Sequence, residues 1–112
     1  MNVQIFGKSK CFDTKKAERY FKERQIKCQM IDIVKYGISP GELKSVKTAL
    51  GGIDPLVDEN SKEYQRQNIK YLANDDIEER LVEAPSMFKT PIVRNGKQAT
   101  IGYAPDVWAS WT

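Results

Sequence analysis

Cys11 is the residue of this chain best placed to do chemistry. It follows an apolar segment that ends at Gly7, and it precedes a helix-like stretch that begins at Asp13. A cysteine where a strand leads into a helix lies near free backbone N–H groups and the positive end of the helix dipole, and both stabilise a thiolate. The position predicts a reactive thiol. The alternative is that Cys11, like many free cysteines, is a small buried apolar residue.

Charged residues surround Cys11 in the sequence. Lys8 and Lys10 flank it, and we expect these cations to lower its pKa. The carboxylate of Asp13 would raise that pKa if it pointed at the sulfur. The chain has no histidine, which excludes a Cys-His pair. Any thiol chemistry must therefore use helix-end electrostatics and neighbouring cations.

The second cysteine, Cys28, has a different setting. It lies among Ile26, Met30 and Ile31 in a strand-like segment, which indicates a core thiol. The alternative is a resolving cysteine, which would need a Cα–Cα distance below about 7 Å from Cys11. Two cysteines without further ligands do not make a metal site, so we expect no bound metal.

Length and composition limit the class of protein. The 112 residues suit one domain, and 40% hydrophobic with 29% charged residues is ordinary for a globular protein. We expect no membrane span and no secretory signal, hence a cytoplasmic protein. The net charge is +3, but basic residues alternate with acidic ones. This spread favours a solvated surface over a direct nucleic-acid interface.

The first part of the chain has the pattern of a βαβ unit. Residues 3–6 and 26–34 are rich in β-formers, and residues 13–24 lie between them. Within that middle segment Ala17 and Phe21 have the spacing of one helix face. The order predicts parallel strands joined by a helical crossover.

The middle of the chain predicts helices. A capped helix is expected to start at Ser39 and to end at Gly51 and Gly52. After a connector at residues 53–57, a short helix is expected over 61–69. A further helix is expected to be capped by Asn74 and ended before residue 85.

The last part predicts a hairpin and a closing helix. Asn95 and Gly96 separate two strand-like runs, residues 90–94 and 98–102, and Asn-Gly is a strong hairpin signal. Residues 105–111 suit a terminal helix. Its two tryptophans are expected to pack in the core, with a partner surface as the alternative.

The assembled order predicts an α/β fold, a thioredoxin-like sandwich with a central mixed β-sheet. We expect a single domain over residues 1–112 with a helical insert at about residues 39–84. In that fold a cis proline precedes the hairpin strand and faces the active cysteine, so we expect Pro91 to follow a cis bond. The alternative is an ordinary proline at a strand edge.

The chain resembles the arsenate reductase (ArsC) family, which includes Spx-like transcription regulators. The resemblance covers nearly the whole chain. It is carried by six segments, at residues 5–11, 15–17, 31–33, 39–43, 61–64 and 90–93, and by residues 101–103 after the hairpin.

The resemblance implies roles for two residues. In arsenate reductases of this family one cysteine attacks arsenate, and glutathione and glutaredoxin then release arsenite. Cys11 matches that nucleophile, and Thr14 stands where the family has a serine near the cysteine. We therefore expect Thr14, with the two lysines of the loop, to support a thiolate or an anion.

Other positions depart from the family pattern. Gly7 occupies the place of an activating histidine, and Thr90, Asn60 and residues 102–104 occupy the places of three arginines that hold the oxyanion. An oxyanion needs charge-assisted donors. Nearby cations such as Arg94 could replace them only in part, and Arg94 is expected to point away. The sequence thus predicts weak or absent arsenate reduction.

Compared with Spx-like regulators, the chain lacks one functional feature, a disulfide, and keeps another, a glycine. Their Cys-x-x-Cys disulfide cannot form here, because the chain has Thr14 at the position of the second cysteine. Gly52 matches a glycine that Spx uses against the α subunit of RNA polymerase. The alternative is that Gly52 only caps a helix.

Two main functions follow from the sequence. The first is a monothiol redox protein that uses Cys11 and is resolved by glutathione, another low-molecular-weight thiol or a glutaredoxin-like reductant. The second is a non-enzymatic regulator that binds the RNA polymerase α subunit through Gly52. A degenerate domain with an inherited Cys11 is the third reading. No bound cofactor is expected.

Overall fold

The computed structural model describes residues 2–68 and 71–111. Its helices and strands in chain order are β1 (Val3–Gly7), α1 (Phe12–Glu23), β2 (Cys28–Asp32), α2 (Ile33–Tyr36), α3 (Pro40–Leu50), α4 (Lys62–Arg66), α5 (Asn74–Glu83), β3 (Ile92–Asn95), β4 (Gln98–Ile101) and α6 (Pro105–Ala109). Short 3-10 turns lie at Asp54–Leu56 and Pro85–Met87.

The strands of the described residues form a mixed sheet in the order β2-β1-β3-β4. Strands β1 and β2 are parallel, with Val3 opposite Cys28 and Gly7 opposite Asp32. Strand β3 runs antiparallel to both β1 and β4. The predicted βαβ unit, hairpin and α/β fold class are therefore confirmed.

The two faces of the sheet carry separate apolar cores, because neighbouring residues of a strand point to opposite faces. On one face Phe6 packs with residues of α3, α5 and the 3-10 turns. On the other face Ile5 packs with Phe21 of α1 and Trp108 of α6. Trp108 is 1% exposed, so the predicted core position of this tryptophan is confirmed.

The second strand is shorter than predicted. It begins at Cys28 and ends at Asp32, and residues 33–36 form a helical turn instead of more strand. The Asp32 carboxylate starts that turn, because its Oδ1 accepts hydrogen bonds from the backbone N–H groups of Val34 and Lys35. An aspartate cap outweighs the β-propensity of the residues that follow it.

The predicted helices of the middle segment differ mainly at their ends. Helix α3 has the expected capping box between Ser39 and Glu42. Helix α5 begins at Asn74, with Ala73 at the N-cap, so the prediction that Asn74 caps it is wrong. The predicted helix over 61–69 is observed as Lys62–Arg66, and its residue 69 lies outside the described residues.

No helix of the described residues is both long and apolar enough to cross a membrane.

Candidate functional site

Cys11 lies at the junction between β1 and α1. It is the N-cap residue of α1, with an extended backbone, and its side chain makes no capping hydrogen bond. Its backbone N–H donates to the Lys8 carbonyl over 3.0 Å, which closes the loop after β1. The half-buried sulfur is thus left at the helix start, where backbone N–H groups are available to it.

Thr14, one turn into α1, faces the same point. Its side chain is buried, and its Oγ1 lies 3.5 Å from the backbone nitrogen of Lys8, which donates to it. The packing depends on Gly7, because a Cβ at that position would overlap Thr14 Cγ2. With the hydroxyl oxygen occupied as an acceptor, the Thr14 proton is free to point at the Cys11 sulfur.

The loop before β3 faces the thiol from the other side. The Thr90–Pro91 peptide bond is cis, as expected for this fold. The Cys11 Sγ lies 3.6 Å from the Thr90 carbonyl oxygen, to which the thiol donates. The Pro91 carbonyl accepts a 2.9 Å hydrogen bond from Gly102, so the segment after β4 is held beside the same loop.

These contacts determine the acidity of Cys11. Burial raises the pKa of the thiol, but hydrogen bonds from the side chains of Thr14 and Thr90 and from the backbone of Thr14 and Asp13 lower it. The hydrogen bonds together outweigh burial, and the pKa of Cys11 lies below its ordinary value. Neutral donors therefore favour the thiolate here.

The charged side chains that flank Cys11 in the sequence make their contacts with other groups. The Lys8 ammonium donates to the Ser86 carbonyl over 2.7 Å and lies 4.0 Å from an Asp58 carboxylate oxygen. The Asp13 carboxylate lies 4.0 Å from the ammonium of Lys16. Lys10 is exposed, and the effect expected of it stays a prediction.

Cys28 lies at the far end of the sheet from Cys11. It pairs with Val3 at the start of β1, whereas Cys11 follows the other end of this five-residue strand. The two ends of such a strand are about 13 Å apart. Burial and the charge of Glu18 raise the pKa of Cys28. A disulfide between the two thiols would require the fold to rearrange.

Neutral residues stand at the three places where the resemblance implies arginines. Thr90 contacts Cys11 directly, and residue 102 binds the proline loop. Asn60 lies in the loop of Asp58 and donates its backbone N–H to that carboxylate. Arg94 points away, as expected, because it binds Gln4 on β1.

Sequence reasoning missed several features of the site. Thr90 was considered only as a replaced arginine, yet its hydroxyl helps to stabilise the thiolate. The sequence did offer a signal for this role: Thr90 directly precedes the proline that was expected to be cis and to face Cys11. Two aromatic side chains near the site are also exposed, Phe12 at 78% and Tyr103 at 46%.

Gly52 lies at the end of α3, away from these contacts. Its backbone N–H donates to the Lys47 carbonyl over 3.0 Å, and Gly51 before it is left-handed, as in a glycine C-cap. A Cβ at Gly52 would meet nothing within 4 Å. The glycine therefore both ends the helix and borders open space.

Within the described residues, no group of three or more histidine, cysteine, aspartate or glutamate side chains is arranged to hold a metal ion.

The sheet order, the cysteine at the start of the first helix and the cis proline facing it define a thioredoxin-like fold. The model of the ArsC family matches residues 6–111, and the chain belongs to that family.

The proteins similar to this chain include one named as a transcriptional regulator and one named as an arsenate reductase. The chain is 28% identical over 109 residues to Global transcriptional regulator Spx 2 of Oceanobacillus iheyensis, covering 95% of this chain and 80% of that protein. An arsenate reductase from Vibrio cholerae has a TM-score of 0.87 at 24% identity, covering 98% and 97%. A putative ArsC family related protein from Bacteroides fragilis has a TM-score of 0.86 at 17% identity, covering both chains fully. The structural likenesses establish the fold.

Proposed function

We propose that this protein is a monothiol redox protein whose nucleophile is Cys11. The observation that carries the proposal is the set of hydrogen bonds from Thr14, Thr90 and the start of α1 that lowers the pKa of a half-buried thiol. The thiolate is the form that attacks a disulfide, and a lowered pKa increases the fraction of Cys11 in that form.

The proposed cycle has two exchange steps. The Cys11 thiolate attacks a disulfide R–S–S–R′, forms Cys11–S–S–R and releases R′S⁻. A thiolate of glutathione or another low-molecular-weight thiol, or of a glutaredoxin-like reductant, then attacks the mixed disulfide. That step releases the Cys11 thiolate and forms a disulfide between the reductant and R. An external thiol is needed because Cys28 lies at the other end of the sheet.

The same geometry argues against arsenate as the main substrate. Hydroxyl and backbone donors can stabilise the single charge of a thiolate, but a tetrahedral oxyanion needs several charge-assisted donors. Lys8 is bound to Asp58 and Ser86, and Arg94 to Gln4. Arsenate reduction with glutathione and glutaredoxin at the rate of an arsenate reductase, lost in Cys11→Ser, would contradict this part.

Intact-mass analysis after treatment with glutathione disulfide tests the thiol chemistry. We expect one glutathione adduct on the wild type and on Cys28→Ser, and none on Cys11→Ser. Peptide mapping should place the adduct on Cys11. The proposal would be contradicted by an adduct on Cys28 alone. It would also be contradicted if Cys11 formed the adduct no faster than a cysteine in an unfolded peptide.

A second candidate is a regulator that binds the RNA polymerase α subunit. It is favoured by the likeness to a protein named as a transcriptional regulator and by the open space beside Gly52. A pull-down with the C-terminal domain of the α subunit separates the two functions. Binding that survives Cys11→Ala and is lost in Gly52→Arg supports the regulator, and absence of wild-type binding excludes it.

A further inference from the structure

A cavity of about 410 Å³ lies beside α1, between this helix and the segment that follows β4. Its lining combines basic, acidic and aromatic side chains, among them Lys16, Arg19, Tyr20, Glu23, Arg24 and Tyr103. It is therefore more basic than acidic, which favours an anionic occupant.

Two of the basic groups are held against aromatic rings. The Arg24 guanidinium carbon lies 3.7 Å from the Tyr20 ring centroid, and its Nη1 donates to the Tyr20 carbonyl over 3.2 Å. The Lys16 ammonium lies 5.8 Å from the Tyr103 ring centroid. These ring contacts keep both cations at the cavity wall. The Lys16 charge is also partly offset by the Asp13 carboxylate, 4.0 Å away, so Arg24 and Arg19 carry most of the positive charge of the wall.

Arg19 is the basic group with the greatest freedom to meet a ligand. It is exposed, and among the residues that the structure describes none forms a hydrogen bond or ion pair with its guanidinium. A guanidinium offers a carboxylate two parallel donors, so Arg19 suits a carboxylate ligand.

The cavity lies within reach of a substrate attached to Cys11. Lys16 and Arg19 follow Cys11 by five and eight residues along α1, which corresponds to about 7.5 and 12 Å of helix rise. An extended peptide covers these distances in about two to four residues. Phe12 at the start of α1 and Tyr103 at the cavity wall both have exposed rings.

We propose that the cavity binds a carboxylate side chain of a protein partner, two to four residues from the partner cysteine that Cys11 attacks. This inference rests on the thiol chemistry proposed above and adds the substrate class, an acidic extended segment. The bonds are those of the first exchange step: the Cys11–partner disulfide forms, and the partner's original disulfide breaks and releases a thiolate.

Matched peptides test the proposal in a Cys28→Ser background. Each peptide carries one cysteine as its 2-pyridyl disulfide, which releases a neutral chromophore, and the peptides differ only in Glu, Gln or Lys three residues after the cysteine. At low salt we expect the Glu peptide to react fastest, the Gln peptide more slowly and the Lys peptide slowest, with second-order rate constants that span about ten-fold. The difference should shrink at high salt.

A pair of variants tests whether the cavity itself is responsible. Arg19→Gln should reduce the advantage of the Glu peptide about three-fold. Lys44→Gln removes the same charge from α3, whose residues do not line this cavity, so it should have little effect. Both positions are exposed, and circular dichroism should confirm that both variants fold.

The outcomes distinguish this inference from the function it rests on. Equal rates for the three peptides, or equal effects of the two variants, would overturn the acidic-segment site and leave the thiol chemistry standing. A Cys11 that reacts with none of the peptides and not with 2,2′-dipyridyl disulfide would overturn both.

Discussion

At the scale of single residues, the site stabilises a thiolate with neutral hydrogen-bond donors. The hydroxyls of Thr14 and Thr90 replace formal charge near Cys11. A hydrogen bond to a charged group stabilises it by about 1.5–3 kcal/mol, enough to shift a thiol toward its ionised form. The arrangement activates the nucleophile but offers little to a multiply charged substrate.

Thr14→Val should make Cys11 less reactive at neutral pH. The substitution keeps the shape of the side chain but removes the hydroxyl donor, so the pKa of Cys11 rises. The rate of alkylation by iodoacetamide at pH 7 should fall about three- to ten-fold, and the midpoint of its pH profile should move to higher pH.

Thr48→Val is a suitable control for that measurement. Thr48 is exposed on α3 and its hydroxyl donates to the Lys44 carbonyl, far from the thiol. Its alkylation profile should match the wild type. An unchanged profile in Thr14→Val would show that the hydroxyl does not act on the thiolate.

At the scale of elements, the junction of β1 and α1 depends on the fit between Gly7 and Thr14. Both residues are buried, and Thr14 occupies the space that a side chain at Gly7 would need. A residue with a side chain at position 7 is therefore incompatible with the observed position of Thr14.

Gly7→Ala should destabilise the protein by about 1–3 kcal/mol, because its methyl group overlaps the Thr14 side chain. Urea denaturation measures the loss. Adding Thr14→Ser removes the overlapping Cγ2 while keeping the hydroxyl, and it should recover part of the stability. A double variant that is no more stable than Gly7→Ala would contradict this account of the overlap.

Helix α3 is tied to the sheet by polar side chains. Gln4 of β1 donates to Glu42 over 3.0 Å and accepts from Arg94 over 2.6 Å. Burial raises the pKa of Glu42, but hydrogen bonds from Ser39 and Gln4 and the charge of Arg94 outweigh it, and the pKa is lowered. Ionised Glu42 therefore stabilises the folded state.

Glu42→Gln should remove this pH-dependent part of the stability. A folded-state pKa below the unfolded value means that the contribution is present above the unfolded pKa of about 4.3 and is lost as pH falls through the folded pKa. Because the group is partly exposed, we expect no more than about 1 kcal/mol at pH 7. The free energies of unfolding of the wild type and variant should converge toward pH 3, and a constant difference across this range would contradict the prediction.

At the scale of the whole molecule, the closing helix α6 is anchored by one buried polar contact within an aromatic core. The indole N–H of Trp108 donates to Thr100 Oγ1 over 2.7 Å. The Trp108 ring lies 5.1 Å from the ring centroids of both Tyr20 and Phe21. Hairpin, first helix and last helix therefore share one packing centre.

Trp108→Phe should cost about 1–3 kcal/mol, because it leaves the buried Thr100 hydroxyl without its donor. Thr100→Val in the same chain removes the unpaired hydroxyl and should restore part of the loss. Thermal unfolding of both variants checks this. Additive losses in the double variant would mean that the hydrogen bond is not the cause.

Local patterns in the sequence were sufficient for most of the architecture. Apolar periodicity and the turn residues predicted the βαβ unit and the hairpin, because those signals act between near neighbours. The capping box of Ser39 and the glycine end of α3 were predicted for the same reason. The end of β2 was missed, because an Asp32 cap and residues of high β-propensity give opposite local signals.

Local sequence patterns were enough to place Cys11 at the start of a helix and to show neutral residues where the resemblance implies oxyanion-binding arginines. The neutral groups that reach the thiol are identified only by the folded arrangement. Thr90 lies 79 residues from Cys11, and its side chain reaches the thiol from the loop before β3. Lys8 pairs with Asp58 on a loop that is distant in the sequence. Contacts across such separations depend on how the elements pack, which local sequence patterns do not encode.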